Sequence, residues 1–152
     1  MKIVITGALG HIGSKIIKEL PLCFPEAELV LIDNLATQRY CSLFNLTSEV
    51  NYRFFEVDVL DTHLFPIIEG ASVVIHLAGL TNASSSFKMK KQVEQVNYNT
   101  TVKIANTCSQ TNTPMIHLSS TSVYGTQNDV VDENCSKEEL QPQSPYAETK
   151  LK

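Results

Sequence analysis

Thr6-Gly7-Ala8-Leu9-Gly10-His11-Ile12-Gly13 places glycines at three-residue intervals, directly after the apolar run Lys2 to Thr6 and directly before residues that recur at helical spacing. Glycines so placed can cradle phosphate. The first permits a tight turn, the second lets backbone approach a pyrophosphate, and the third lets helix and strand pack closely. The helix N-terminus then offers free N–H groups and a partial positive charge. Glycine clusters by themselves usually mark turns. Here Asp33 stands twenty residues after Gly13, at the end of the next apolar run. A carboxylate there accepts hydrogen bonds from ribose hydroxyls and repels a 2′-phosphate. Together these residues predict a dinucleotide site, with NAD favoured over NADP.

Other reactive side chains read more plainly. Cys23, Cys41, Cys108 and Cys135 form no C-x-x-C pair, and no export signal precedes them. They are expected as reduced, partly buried thiols, without metal or disulfides. His76 and His117 lie in apolar strands and read as core histidines. Lys88, Lys90 and Lys91 are the densest basic stretch and read as a solvated helix face. A net charge of −4 with no basic cluster argues against nucleic-acid or anionic-membrane partners. No apolar run approaches the roughly 20 residues of a membrane-spanning helix, so a cytoplasmic protein is expected.

The elements that must position the glycine turn and Asp33 are legible as alternation. Lys2–Thr6, Glu28–Ile32, Tyr52–Val57, Ser72–Leu77 and Met115–Ser119 are runs of strand length. Between them lie helical patterns: Ile12 to Leu20, ended by Pro21; a short helix near Leu43, Phe44 and Leu46; Asp61 to Glu69; and Lys88 to Gln110. A last helix begins at Ser144-Pro145, an N-cap followed by proline. Strands interleaved with helices predict one α/β domain over residues 1–152, a Rossmann doubly wound parallel sheet of strand order 3-2-1-4-5. Ligands are then expected outside the C-terminal ends of the strands.

With these motifs in order, the sequence resembles the extended short-chain dehydrogenase/reductase family, in particular its NAD-dependent nucleotide-sugar epimerases and dehydratases. G-x-x-G-x-x-G is that family's spacing. Asp33-Asn34-Leu35 resembles its D-N-L, and Asp58-Val59 matches the acidic position that bonds the adenine amino group. His76-Leu77-Ala78-Gly79 is similar to H-x-A-[AG], whose backbone lines the cofactor. Ser119-Ser120-Thr121-Ser122-Val123-Tyr124-Gly125 resembles S-[ST]-x-x-V-Y-G, and Tyr146-Ala147-Glu148-Thr149-Lys150 is Y-x-x-x-K. Asn97 resembles the asparagine of N-x-x-G-T, although Thr100 and Thr101 stand where glycine and threonine are expected. Thr81, Ser84 and Ser86 lie where the family often contacts substrate or cofactor, and the acids from Asp129 to Glu139 read as a solvated loop.

The resemblance implies Ser120, Tyr146 and Lys150 as catalytic residues. It implies cofactor contacts from Gly7, Leu9, Gly10, His11, Ile12, Gly13, Asp33, Asn34, Asp58, Val59, Leu77, Ala78, Gly79 and Asn97, with Tyr146 and Lys150. Residues 146 and 150 share a helix face, so phenol and ammonium can meet. A free phenol of pKa about 10 is a poor base; a neighbouring ammonium favours phenolate. Ser120 would hold a sugar hydroxyl while Tyr146 takes its proton and hydride passes to NAD. Family 4,6-dehydratases carry Asp-Glu where this chain has Thr121-Ser122, which disfavours dehydration. The resemblance therefore implies a UDP-sugar 4-epimerase-like enzyme of nucleotide-sugar metabolism, able to form a homodimer. A reductase, a decarboxylase and a non-catalytic NAD-binding sensor stay open; Tyr146 and Lys150 weigh against the last. Because Lys152 follows so soon after Lys150, the C-terminal substrate domain is expected to be absent and the 152-residue species inactive.

Overall fold

A computed structural model describes residues 1–81, 87–127 and 130–152. Five parallel strands form one sheet: β1 (Lys2–Thr6), β2 (Glu28–Asp33), β3 (Asn51–Glu56), β4 (Val73–His76) and β5 (Met115–His117). Their order is β3-β2-β1-β4-β5. β1 pairs with β2 from Lys2↔Glu28 to Thr6↔Ile32 and with β4 up to Thr6↔His76, while β2 meets β3 up to Asp33↔Glu56. Gly7, Asn34, Val57 and Leu77 therefore all leave the sheet at its C-terminal edge.

The chain divides into two compact units, Met1–Ala78 with Thr100–His117, and Gly79–Asn99 with Leu118–Lys152. The first holds the sheet with α1 (Gly13–Cys23), α2 (Phe65–Ile68) and α4 (Thr100–Gln110). Strand alternation sorts its core into two clusters. Val4, Val30, Ile32 and Val74 pack with Leu64, Ile68, Ile104 and Cys108. Ile3, Ile5, Leu29 and Leu31 pack with Ala8, Leu9 and Ile17. β1 and β2 thus bury both faces, which is why they read as unbroken apolar runs.

Some elements depart from expectation. α1 runs through Pro21, which is buried, to Cys23. A proline inside a helix forfeits the bond to the carbonyl four residues back, here that of Ile17. Tyr52 Oη donates to the Ile17 carbonyl at 2.9 Å, so the orphaned acceptor is satisfied and the helix continues. Burial raises the Tyr52 phenol above its usual pKa, which keeps it a donor. α2 covers only Phe65–Ile68 of the helix expected from Asp61. The short helix expected near Leu43 is a 3₁₀ turn at Tyr40–Leu43. His117 is exposed and Ile116 is 50% exposed, because β5 ends the strand order; His117 is not a core histidine.

The second unit contains α3 (Lys90–Val93), a π-helical turn (Glu94–Asn99), 3₁₀ turns at Thr121–Tyr124 and Lys137–Glu139, and α5 (Pro145–Leu151). The single helix expected over 88–110 is therefore three successive segments. A π turn takes an extra residue into one turn, and this one buries Asn97. α5 starts as expected: the Ser144 side chain accepts from Ala147 N at 3.1 Å, with Pro145 at the first position. It packs on the π turn, α3 and the Thr121–Tyr124 turn. Among the described residues no helix is long and apolar enough to cross a membrane.

Candidate functional site

The glycine turn connects β1 to α1 in the first unit. Gly7 has φ +66°, and its N–H donates to Ile32 O at 2.8 Å. A Cβ there would lie 2.6 Å from Ala78 N, so the Leu77–Ala78 backbone and the turn touch without space for a side chain. At Gly13 a Cβ would lie 2.5 Å from both Gly7 O and Ala8 O, which explains the close packing of turn and helix. Gly10 differs: its Cβ would meet only Gly7 O, at 3.1 Å. No side chain caps α1, and its first turn holds no acid. His11 and Ile12, at that N-terminus, are exposed. The result is an uncapped helix end flanked by exposed residues, suited to an anion.

Asp33 closes the turn from β2. Its Oδ2 accepts from Leu9 N and its Oδ1 from Leu35 N, both at 2.9 Å. Leu35, at φ +54°, completes that short loop. Leu9 is fully buried, so the carboxylate is anchored to the core through a backbone amide. Each carboxylate oxygen retains a second acceptor site for ribose hydroxyls. Asn34 Nδ2 donates to Asp58 Oδ2 at 2.8 Å, while the neighbouring Val59 is buried. Leu77 and Ala78 follow β4, with Ala78 N 3.5 Å from Thr6 Oγ1. His76 is 1% exposed; its Nδ1 lies 2.6 Å from Thr6 Oγ1 and its Nε2 3.2 Å from Thr101 Oγ1. It is a satisfied core histidine, stacked on His117 with ring centroids 5.5 Å apart.

The second unit holds the remaining candidates. Tyr146 and Lys150 lie one turn apart on α5 and are half-buried. Lys150 Nζ donates to Leu118 O at 2.8 Å, and burial pushes its pKa below the usual lysine value. Ser120 Oγ lies 2.8 Å from Ser122 Oγ and accepts from Ser122 N at 3.2 Å. Asn97 Oδ1 accepts from Leu80 N at 2.7 Å, and its Nδ2 donates to Leu80 O at 3.0 Å. The same Nδ2 reaches Thr149 Oγ1 at 3.4 Å, and Thr149 in turn donates to Tyr146 O at 2.7 Å. Asn97 thereby links the residue after Gly79 to α5. Thr81 is exposed; Ser84, Ser86 and Asp129 lie outside the described residues.

Sequence reasoning passed over the pairing of Ser122 with Ser120, and Leu118 and Leu80 altogether. The pairing had a signal, since a serine such as Ser120 often closes a turn by accepting, through its hydroxyl, the N–H two residues on. The other two act through backbone atoms, which carry none.

Against known proteins, residues 3–152 match the model of the NAD dependent epimerase/dehydratase family. The chain is 30% identical to a dTDP-D-glucose 4,6-dehydratase of Dictyostelium discoideum, over 98% of this chain and 38% of that protein. It superposes on a UDP-N-acetylglucosamine 4-epimerase of Methanobrevibacter ruminantium M1 with TM-score 0.87 and 31% identity, covering 99% of this chain and 47% of that one. A UDP-glucuronic acid 4-epimerase of Bacillus cereus, solved with UDP-glucuronic acid and NAD, gives TM-score 0.85 and 30% identity over 99% and 49%. The chain spans less than half the length of the curated relatives it matches. By the family match over nearly its whole length, the chain belongs to the NAD-dependent epimerase/dehydratase family.

Proposed function

We propose that this chain holds NAD and carries the catalytic residues of a nucleotide-sugar epimerase, acting on a UDP-sugar in the manner of a 4-epimerase. The fit to the cofactor rests on Gly10. Protein packing explains the glycines at 7 and 13 but leaves Gly10 with only one near neighbour. A bare backbone beside an uncapped helix end is what a pyrophosphate requires. Gly7, Leu9, Gly10, His11, Ile12 and Gly13 would hold the phosphates, Asp33 a ribose, and Asn34, Asp58 and Val59 the adenine. Leu77, Ala78, Gly79 and Asn97 would line or support the nicotinamide half.

In this reading Ser120 binds the sugar hydroxyl to be oxidised and Tyr146 takes its proton. When bound, NAD would supply the acceptor for a hydride from the sugar carbon and the donor for its return to the opposite face. Lys150 has three N–H donors and gives one to Leu118 O; the others can bond the nicotinamide ribose. Tyr146 then returns the proton on the way back.

The observation that carries epimerase over dehydratase is the Ser120–Ser122 hydroxyl pair. A 4,6-dehydratase needs an acid and a base to eliminate water, and residues 121 and 122 offer only hydroxyls, one of them spent on Ser120. The dehydratase relatives support the second reading, dehydration. Tyr146→Phe, made in the longest natural polypeptide containing this chain, is expected to cut UDP-sugar turnover by about 10²-fold or more. Survival of turnover would overturn the assignment. A 4-keto-6-deoxy product in place of the 4-epimer would favour the dehydratase. The 152-residue chain alone, less than half the length of its relatives, is proposed to bind NAD weakly and to turn over no sugar.

A further inference from the structure

The loop after β3 is tied down more firmly than its exposure requires. Asp58 Oδ1 accepts from Leu60 N at 2.8 Å, and Asp58 O accepts from Thr62 Oγ1 at 2.6 Å. Lys103 Nζ, from α4, donates to Leu60 O. The Asp58 carboxylate is held from the other side by Asn34 Nδ2, at 2.8 Å to Oδ2. Ala36 N donates to Asn34 Oδ1 at 3.1 Å. That bond orients the amide so that its donor end, not its acceptor end, faces Asp58. The carboxylate is therefore fixed in direction, while each oxygen keeps a further acceptor position on a half-buried group.

We propose that Asn34 is a positioning residue for base recognition: it aims the Asp58 carboxylate so that the site reads a 6-amino purine against a 6-oxo purine. This rests on the reading above, that Asp58 faces the base of NAD. A carboxylate only accepts hydrogen bonds. An exocyclic amino group donates to it, whereas a 6-oxo group at the same place presents a second acceptor, and the neighbouring N1–H of that base reaches the carboxylate only if the carboxylate changes direction. The discrimination depends on direction. Without Asn34 only the Leu60 N bond to Oδ1 remains, so the carboxylate can pivot about that oxygen toward the N1–H of a 6-oxo base, and the two bases become more alike to it.

The test is calorimetric titration of the chain with NAD and with nicotinamide hypoxanthine dinucleotide. The wild type is expected to bind NAD about tenfold or more tighter than the 6-oxo analogue. Asn34→Ala is expected to bring the two affinities within roughly threefold of each other, mainly by weakening NAD. Lys103→Met, which frees Leu60, is expected to move the ratio the same way by less. A residue that merely stabilised the loop would lower both affinities together. An unchanged ratio, or a parallel loss of both affinities, in Asn34→Ala overturns the proposal while the NAD reading stands. A wild type that does not distinguish the bases overturns it too. A wild type that binds neither dinucleotide at millimolar concentration overturns the NAD reading, and this assignment with it.

Discussion

A methyl group added at Gly13 would lie 2.5 Å from two backbone oxygens, whereas one at Gly10 would meet a single oxygen at 3.1 Å. The two substitutions should therefore separate folding from binding. Gly13→Ala is expected to cost about 2 kcal/mol or more of stability through overpacking, read as a shift in denaturant midpoint. Gly10→Ala is expected to stay within about 1 kcal/mol of wild type, yet to lose about tenfold or more in NAD affinity. Equal stability losses at both positions would count against assigning Gly10 to the ligand. Lys150 gives a pH test. Burial lowers its pKa, so between that value and the unfolded value of about 10.4 the unfolded chain binds more protons. Wild-type stability gains from this group as pH rises through that window, and the penalty is full below it. Lys150→Met removes the group. It is expected to match or slightly exceed wild-type stability at pH 7, and to lose that advantage by pH 10, in paired urea titrations.

Pro21 and Tyr52 show how an element can depend on a side chain far along the sequence. The proline frees the Ile17 carbonyl and the phenol takes it at 2.9 Å. Tyr52→Phe is expected to cost about 1–2 kcal/mol, the penalty of an unsatisfied buried acceptor. In a double-mutant cycle, Pro21→Ala should recover part of that loss by restoring the helical N–H; purely additive effects would contradict the pairing. Such contacts mark the limit of sequence reading here. Both ends of β1 follow from an apolar run, because a strand buried on both faces needs apolar side chains on both, and the start of β5 follows from Pro114 and the short apolar run after it. The glycine turn, Asp33 and the Ser144 cap follow from local chemistry. The passage of α1 through Pro21 depends on a residue 31 positions after that proline, and the exposure of His117 depends on where β5 falls in the sheet. The bond between Asn34 and Asp58 spans 24 positions and leaves no local pattern.

At the scale of the molecule, the first unit carries the glycine turn, Asp33 and Asp58, and the second carries Ser120, Tyr146 and Lys150. Curated relatives are more than twice as long as this chain. On the proposed reading, purified 152-residue protein is expected to show no interconversion of UDP-glucose and UDP-galactose above background; turnover by it would contradict this. Cofactor choice tests the account most directly, because it needs no substrate. In calorimetric titrations of the chain, NAD is expected to bind saturably. NADP is expected to bind about tenfold or more weakly, because Asp33 would face its 2′-phosphate with like charge. NADP binding as tight as NAD, or no NAD binding at millimolar concentration, would contradict it.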